Sequence, residues 1–146
     1  MKANEEPIVV TQTFNASADT VWDAITVIDQ MRQWYFSNIP AFEPEVGFET
    51  QFLVTNEGRE FPHHWKVTDV VPPTKIAYEW TYENYLGRGL VTFELSQQGD
   101  ATTLRLTSTV LEDFPDAIPE FTRESGLAGW TYFIQQNLKD YLEGKS

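Results

Sequence analysis

The stretch TFNASADTVWDAI at residues 13–25 describes a strand that breaks into a capped helix. Asn15 and Ser17 end the strand, since both residue types favour turns and helix caps, and the Ser17 hydroxyl can accept a hydrogen bond from the first helical turn. Asp19 places a negative charge at the positive end of the helix dipole. Val21 and Ile25 then follow helical spacing. The chain therefore opens with a strand followed at once by an amphipathic helix.

The second decisive stretch is GWTYFIQQNL at residues 129–138, which belongs to one long amphipathic helix. Apolar residues recur around it at three- and four-residue steps over about six turns. They are Phe121, Leu127, Trp130, Ile134, Leu138, Tyr141 and Leu142. Gly126 and Gly129 each weaken such a helix by on the order of 1 kcal/mol. Their presence indicates a close approach by another backbone or by a ligand.

Between these two stretches, apolar residues recur at every second position. This alternation runs from Phe48 to Thr107, and it predicts antiparallel strands with one apolar face and one polar face. A second short helix is expected to open at Asp29, before Pro40 and Pro44 exclude regular structure. The predicted fold is α+β, a meander of strands whose apolar face is covered by the C-terminal helix.

The composition favours one domain, residues 1–146, with an aromatic core. A chain of 146 residues buries roughly 70% of the surface that it exposes when unfolded. The 5 Trp, 6 Tyr and 10 Phe residues are many for this length. The 10 basic and 22 acidic residues give a net charge of 10 − 22 = −12. Because nucleic acids and anionic membranes attract clustered cations, neither is an expected partner.

The sequence also bears on location and covalent chemistry. It contains no cysteine, which excludes a disulfide framework and a thiolate metal site. Residues 1–7 carry two acids where a signal peptide needs positive charge. No stretch approaches the roughly 20 apolar residues of a membrane span. We therefore expect a cytoplasmic protein without a membrane span.

Four short motifs occur in an order that is typical of one protein family. They are Phe14-x-Ala16-x-x-x-x-Val21-Trp22-Asp23-Ala24, Gln33-Trp34-Tyr35-Phe36, Val70-x-Pro72-x-x-x-Ile76-x-Tyr78-x-Trp80 and Gly129-Trp130. Together they resemble the activator-of-heat-shock-protein-90-ATPase-like branch of the START superfamily, also called SRPBCC, over almost the whole chain. The resemblance implies a helix-grip fold as in the birch-pollen allergen. In that fold a curved antiparallel sheet, here of about six strands, wraps around a long C-terminal helix, and two short helices follow the first strand.

In that superfamily the space between sheet and helix is commonly a pocket for lipids, sterols, polyketides or other apolar molecules. The resemblance thus implies a small apolar or amphipathic ligand, held by side chains that face inward. These candidates are Gln12, Trp34, Phe48, Thr50, Phe52, His63, Trp65, Tyr78, Trp80, Phe93, Trp130, Phe133 and Ile134. Polar Gln12, Thr50 and His63 among apolar walls fit a binding pocket. The alternative is that the rings fill an ordinary core.

The pair His63-His64 does not indicate a metal site. Adjacent residues on a strand point to opposite faces, so the two imidazoles cannot share an ion, and we expect neither a metal nor a cofactor. His63 alone can act as a hydrogen-bonding group or a general base. A cyclase- or dehydratase-like reaction would use His63 with Tyr78. Since Glu79 and Glu94 lie on the outward parity, no acid–base pair is evident and no catalytic residue is predicted.

A protein-interaction role is the main alternative to ligand binding. The resemblance implies a link to activators of the Hsp90 ATPase, whose stimulation depends heavily on an additional N-terminal domain. The first strand of this chain begins at about residue 8, so direct chaperone activation is not our first expectation. An exposed apolar patch would favour the interaction role. The sequence does not choose between a monomer and a homodimer.

Overall fold

Six antiparallel strands form one curved sheet in the computed structural model, which describes residues 1–144. The strands are β1 (Ile8–Phe14), β2 (Glu49–Asn56), β3 (Arg59–Val71), β4 (Lys75–Tyr82), β5 (Arg88–Gln98) and β6 (Ala101–Glu112). Their order in the sheet is β1-β6-β5-β4-β3-β2. Strands β2 to β6 form the predicted meander, and β1 pairs with the last strand. The α+β prediction with about six strands is confirmed.

Two short helices follow β1, as predicted: α1 (Ala18–Thr26) and α2 (Ile28–Trp34). Ser17 caps α1, since its hydroxyl oxygen accepts a hydrogen bond of 3.2 Å from the Thr20 backbone N–H. The two helices connect β1, at one edge of the sheet, to β2 at the opposite edge.

The C-terminal helix, α3, covers 20 residues, 123–142. A 3₁₀ turn at Pro119–Phe121 precedes it, and the Thr122 side chain caps its first turn. Its middle, Tyr132–Leu138, is π-helical, between α-helical segments at Arg123–Thr131 and Lys139–Leu142. No helix among residues 1–144 is both long and apolar enough to cross a membrane.

The apolar stripe of α3 packs on the concave face of the sheet through Trp130, Ile134 and Leu138, which are all buried. Leu127 was expected in the same stripe, but 46% of it is exposed. Gly126 faces the sheet in its place. A Cβ atom at Gly126 would lie 3.1 Å from the side chain of Ile8 and 3.2 Å from that of Met1. The close approach indicated by the sequence is therefore made here by side chains.

The centre of the concave face is filled by aromatic rings. Tyr35, directly after α2, stacks on Trp34 with a centroid distance of 4.5 Å and on Trp65 with 5.2 Å. Its hydroxyl lies 2.8 Å from the hydroxyl of Tyr78, a hydrogen-bond distance. Burial raises the pKa of both phenols, Tyr35 and Tyr78, so both stay protonated. We call this assembly, with the buried apolar residues around it, the main core.

A smaller aromatic cluster lies at one end of the sheet, apart from the main core. It consists of Phe61, Phe114 and Phe121, against which Tyr82 and Tyr85 pack. Phe121 joins its members, with centroid distances of 5.5 Å to Phe61 and 5.4 Å to Phe114. We call it the end cluster. The two clusters leave space between them, and that space is the candidate site.

Candidate ligand-binding cavity

A cavity of about 400 Å³ lies between the main core and the end cluster, beneath the first half of α3. Its walls are mainly aromatic and aliphatic side chains from both clusters. They are Phe36, Trp80, Val91, Trp130 and Phe133 on the side of the main core, and Phe61, Tyr82, Phe114 and Phe121 on the side of the end cluster. This volume falls in the range of roughly 300–1,000 Å³ that is usual for small-molecule sites.

Small residues of α3 line the helical side of the cavity. Gly129 lies three positions after Gly126 and four after Ser125, so it shares a face of the helix with each of them. Apart from its chain neighbours and the adjacent backbone of its own helix, a Cβ atom at Gly129 would meet no atom of residues 1–144 within 4 Å. Gly129 therefore faces open space, and any larger side chain there would project into the cavity.

His63 is a buried polar side chain of the cavity wall, only 5% exposed. Its Nδ1 donates a hydrogen bond of 2.8 Å to the carbonyl oxygen of Phe61, which fixes the proton on Nδ1. Burial lowers the pKa of His63 to about 4, although this hydrogen bond opposes the shift. The ring is thus neutral at neutral pH, and Nε2 is left as an acceptor. No hydrogen bond to Nε2 occurs within residues 1–144.

Aromatic rings surround His63 and fix its orientation. The centroid distances are 5.2 Å to Phe36, 5.0 Å to Phe52, 5.2 Å to Trp80 and 4.8 Å to Tyr82. His64 lies on the opposite face of β3, as the strand alternation predicts. Its Nε2 is 2.7 Å from a carboxylate oxygen of Glu49.

An ion pair stands at the rim of the cavity. Arg59 donates from Nε to Glu120 Oε1 at 2.8 Å and from Nη2 to Glu120 Oε2 at 2.7 Å, and Asn56 donates to Oε2 at 2.6 Å. The Arg59 hydrogen bonds lower the pKa of Glu120 to about 2, against a smaller opposing effect of burial. Glu120 is therefore a fully engaged carboxylate that ties the β2–β3 turn to the start of α3.

The polar groups that line the cavity are few. His63 is neutral, and the carboxylate of Glu120 is saturated by its partners, so no acid–base pair faces the cavity within the described residues. The indole N–H of Trp80 is buried without a hydrogen-bond partner in that same part of the chain. Burial raises the pKa of the Tyr82 phenol, which therefore stays protonated. Residues 1–144 contain no cluster of three His, Cys, Asp or Glu side chains that could hold a metal ion.

Four of the predicted binding residues line this cavity: His63, Trp80, Trp130 and Phe133. The others lie elsewhere in the protein. Five of them belong to the main core and are at most 1% exposed: Trp34, Trp65, Tyr78, Phe93 and Ile134. On β2, Thr50 and Phe52 are buried. The ring of Phe48 packs on that of Phe42 with a centroid distance of 5.8 Å, and the Gln12 side-chain amide donates a hydrogen bond to the Thr13 carbonyl. The cavity is displaced from the centre of the sheet because Tyr35 occupies that centre.

Several residues that line the cavity were not predicted from the sequence. Phe61 and Tyr82 lie two positions from His63 and Trp80 on their strands, so strand alternation could have found them. Phe114 and Phe121 stand in irregular or 3₁₀ segments, where no periodicity marks the inward side.

Comparisons with solved structures show the same fold. A protein from Arthrobacter aurescens superposes with a TM-score of 0.80 at 17% identity, over 100% of this chain and 91% of that chain. Protein CV1439 from Chromobacterium violaceum gives 0.77 at 19% identity, over 94% and 97%. The Aha1 dimer from Colwellia psychrerythraea gives 0.73 at 22% identity, over 97% and 100%. A comparison with curated protein sequences gives no significant match.

A curved antiparallel sheet that holds a C-terminal helix across an apolar cavity defines a helix-grip protein of the START or SRPBCC type. The sequence model for activator of Hsp90 ATPase homolog 1-like proteins matches residues 15–143. The chain belongs to this family, and the resemblance read from its motifs is confirmed.

Proposed function

We propose that the protein binds one small apolar or amphipathic molecule in the cavity between the sheet and α3. The cavity of about 400 Å³ between the two aromatic clusters is the observation that carries this proposal. A pocket of this volume with mostly apolar walls and a few placed polar groups is typical of a ligand site.

Gly129 supports the proposal from the helical side. A helix interior normally favours Ala over Gly by about 1 kcal/mol, and the space beside Gly129 would accept a larger side chain. The glycine therefore lowers the stability of the helix and leaves the cavity open. A binding site accounts for both features.

Filling the cavity should abolish binding. We expect Gly129→Leu to reduce the affinity for the uncharged fluorescent probe N-phenyl-1-naphthylamine at least tenfold, because the leucine side chain occupies the space of the probe. Ala128→Leu is the matched control, since Ala128 is the neighbouring exposed residue on the same helix. Fluorescence titration of the wild-type protein and both variants measures the three dissociation constants.

Equal affinities in the two variants would show that the probe binds outside the cavity. The natural ligand can be sought by native mass spectrometry of the protein purified gently from its host. A reproducible adduct above the 16.8 kDa of the chain, released on denaturation, would give the mass of that ligand.

A protein-interaction role is the second candidate. It is favoured by the family, which is described by activation of the Hsp90 ATPase, and by exposed Leu86, which is 80% accessible in the β4–β5 loop. A structural neighbour is itself described as a dimer, so a homodimer and a monomer both remain in this proposal. In either role we propose a cytoplasmic protein.

This second role predicts stimulation of the ATPase of the Hsp90 from the same host. Leu86→Asp should remove most of the stimulation, because a charge would disrupt an apolar contact. Leu127→Asp is the control, as Leu127 is also exposed but lies on α3. No stimulation by the wild-type protein, measured by phosphate release at saturating concentration, would reject the co-chaperone role.

A further inference from the structure

His63 lines the cavity, and its Nε2 is an acceptor without a hydrogen bond among residues 1–144. Its Nδ1 proton is committed to the Phe61 carbonyl, and four aromatic rings with centroids within 5.2 Å pack around the imidazole. Nε2 therefore accepts and does not donate. A ligand that satisfies it must bring a hydrogen-bond donor, and a hydroxyl group is the simplest one.

The charges around the cavity disfavour an anionic ligand. No Lys or Arg is among the described residues that line it. Arg59 at the rim is bound bidentately by Glu120, and the amino group of Met1 donates to the Phe121 carbonyl at 2.7 Å. A carboxylate in this cavity would lose its hydration and, among residues 1–144, would meet no free cationic side chain, since Arg59 is already paired with Glu120.

The walls favour flat rings. Trp80 and Trp130 meet edge to face at 5.6 Å, and Trp130 and Phe133 at 6.0 Å. Walls of this kind offer ring faces and edges that pack well against another aromatic system. The small residues Gly126 and Gly129 leave the remaining side of the space open.

We propose that the cavity selects an uncharged aromatic or polycyclic molecule with a hydroxyl group, and that this hydroxyl donates to Nε2 of His63. The inference rests on the proposed ligand-binding function and adds the class of ligand. His63 is then a specificity-determining residue, because its single acceptor distinguishes a hydroxyl from a methyl or a carboxylate at the same position of the ligand.

Three biphenyls of nearly equal shape test the proposal: 4-phenylphenol, 4-methylbiphenyl and biphenyl-4-carboxylate. Each displaces N-phenyl-1-naphthylamine from the wild-type protein at neutral pH, and the displacement curves give the dissociation constants. We expect the phenol to bind about fivefold more tightly than the methyl compound, since one net hydrogen bond contributes about 1 kcal/mol. The carboxylate should bind most weakly.

His63→Phe keeps an aromatic ring at this position and removes the acceptor. In this variant the phenol should lose its advantage, so that the ratio of the dissociation constants of 4-methylbiphenyl and 4-phenylphenol falls to about one. The ¹⁵N chemical shift of His63 Nε2 in the wild-type protein gives a second readout, which does not depend on the variant. It should move on addition of 4-phenylphenol and stay unchanged with 4-methylbiphenyl.

The possible outcomes separate the inference from the function on which it rests. Equal affinities for the phenol and the methyl compound, or tightest binding of the carboxylate, would overturn the proposed ligand class and leave cavity binding intact. Failure of the fluorescent probe and of all three biphenyls to bind would overturn both. A preference for the phenol that persists in His63→Phe would assign the hydroxyl to another partner and overturn the role of His63.

Discussion

The phenol ring of Tyr35 occupies the middle of the concave face, where a ligand would lie in an emptier helix-grip protein. It stacks on Trp34 and Trp65, and its hydroxyl is paired with that of Tyr78. A buried hydroxyl without such a partner would cost about 1–3 kcal/mol. Tyr78 thus compensates for the polar atom that Tyr35 brings into the core, and the space for a ligand is confined to the end of the sheet.

The position of the Tyr35 ring in the core could not be predicted from the sequence. Tyr35 follows α2 directly and begins the irregular stretch that leads to β2, so no periodicity assigns its ring to a face. His63 was easier to place, because strand alternation puts it on the inward face together with Trp65. Its tautomer could not be predicted, since that depends on the carbonyl of Phe61.

The buried, neutral His63 should make the protein less stable in mild acid. Its pKa is about 4 in the folded protein, against roughly 6.5 in the unfolded chain. The unfolded state therefore binds the proton first, and stability falls as pH decreases from about 6.5 to about 4. By pH 4 the loss should be about 3 kcal/mol.

His63→Phe isolates this contribution. Urea denaturation of both proteins gives the difference between their free energies of unfolding at each pH. That difference should be constant above about pH 7 and shift by about 3 kcal/mol in favour of the variant by pH 4. Glu120 titrates lower, with a pKa of about 2, and is common to both proteins. A difference that stays flat across this range would mean that His63 is not held neutral.

At the scale of elements, the sequence predicted most, but not all, of the residues on the buried face of α3. The four-residue steps among Trp130, Ile134 and Leu138 correctly predicted the buried stripe. Leu127 was misplaced because hydrophobicity alone assigned it inward, whereas the close side chains of Ile8 and Met1 require Gly126 there. Strand alternation predicted the sheet better, since a period of two leaves only two faces to choose from.

This geometry predicts unequal effects of shortening two aliphatic side chains on the same helix. Ile134→Ala should lower the free energy of unfolding by about 2–5 kcal/mol, because Ile134 is fully buried in the main core. Leu127→Ala should change it by less than about 0.5 kcal/mol, since much of that side chain is in solvent. Chemical denaturation of both variants compares them, and similar losses would indicate that α3 is rotated about its axis.

At the scale of the whole molecule, the sequence predicted an aromatic space between sheet and helix but not its division into two clusters. Composition and alternation account for the main core. The end cluster depends on Phe121, which contacts Phe61 across 60 positions of the chain (121 − 61), and on Phe114, which packs on Phe121. Contacts so distant in sequence leave no local signal, and they decide where the cavity lies.

Four of the five tryptophans form two pairs, one buried in the main core and one bordering the cavity. Trp34 and Trp65 are sealed in the main core at 1% exposure, while Trp80 and Trp130 border the cavity. A bound chromophore would exchange excitation energy most directly with the bordering pair, and Trp65, whose ring centroid lies 5.1 Å from that of Trp80, would pass excitation to that pair. The protein thus carries its own optical reporter, in which the intrinsic fluorescence of two indoles records occupancy without a label.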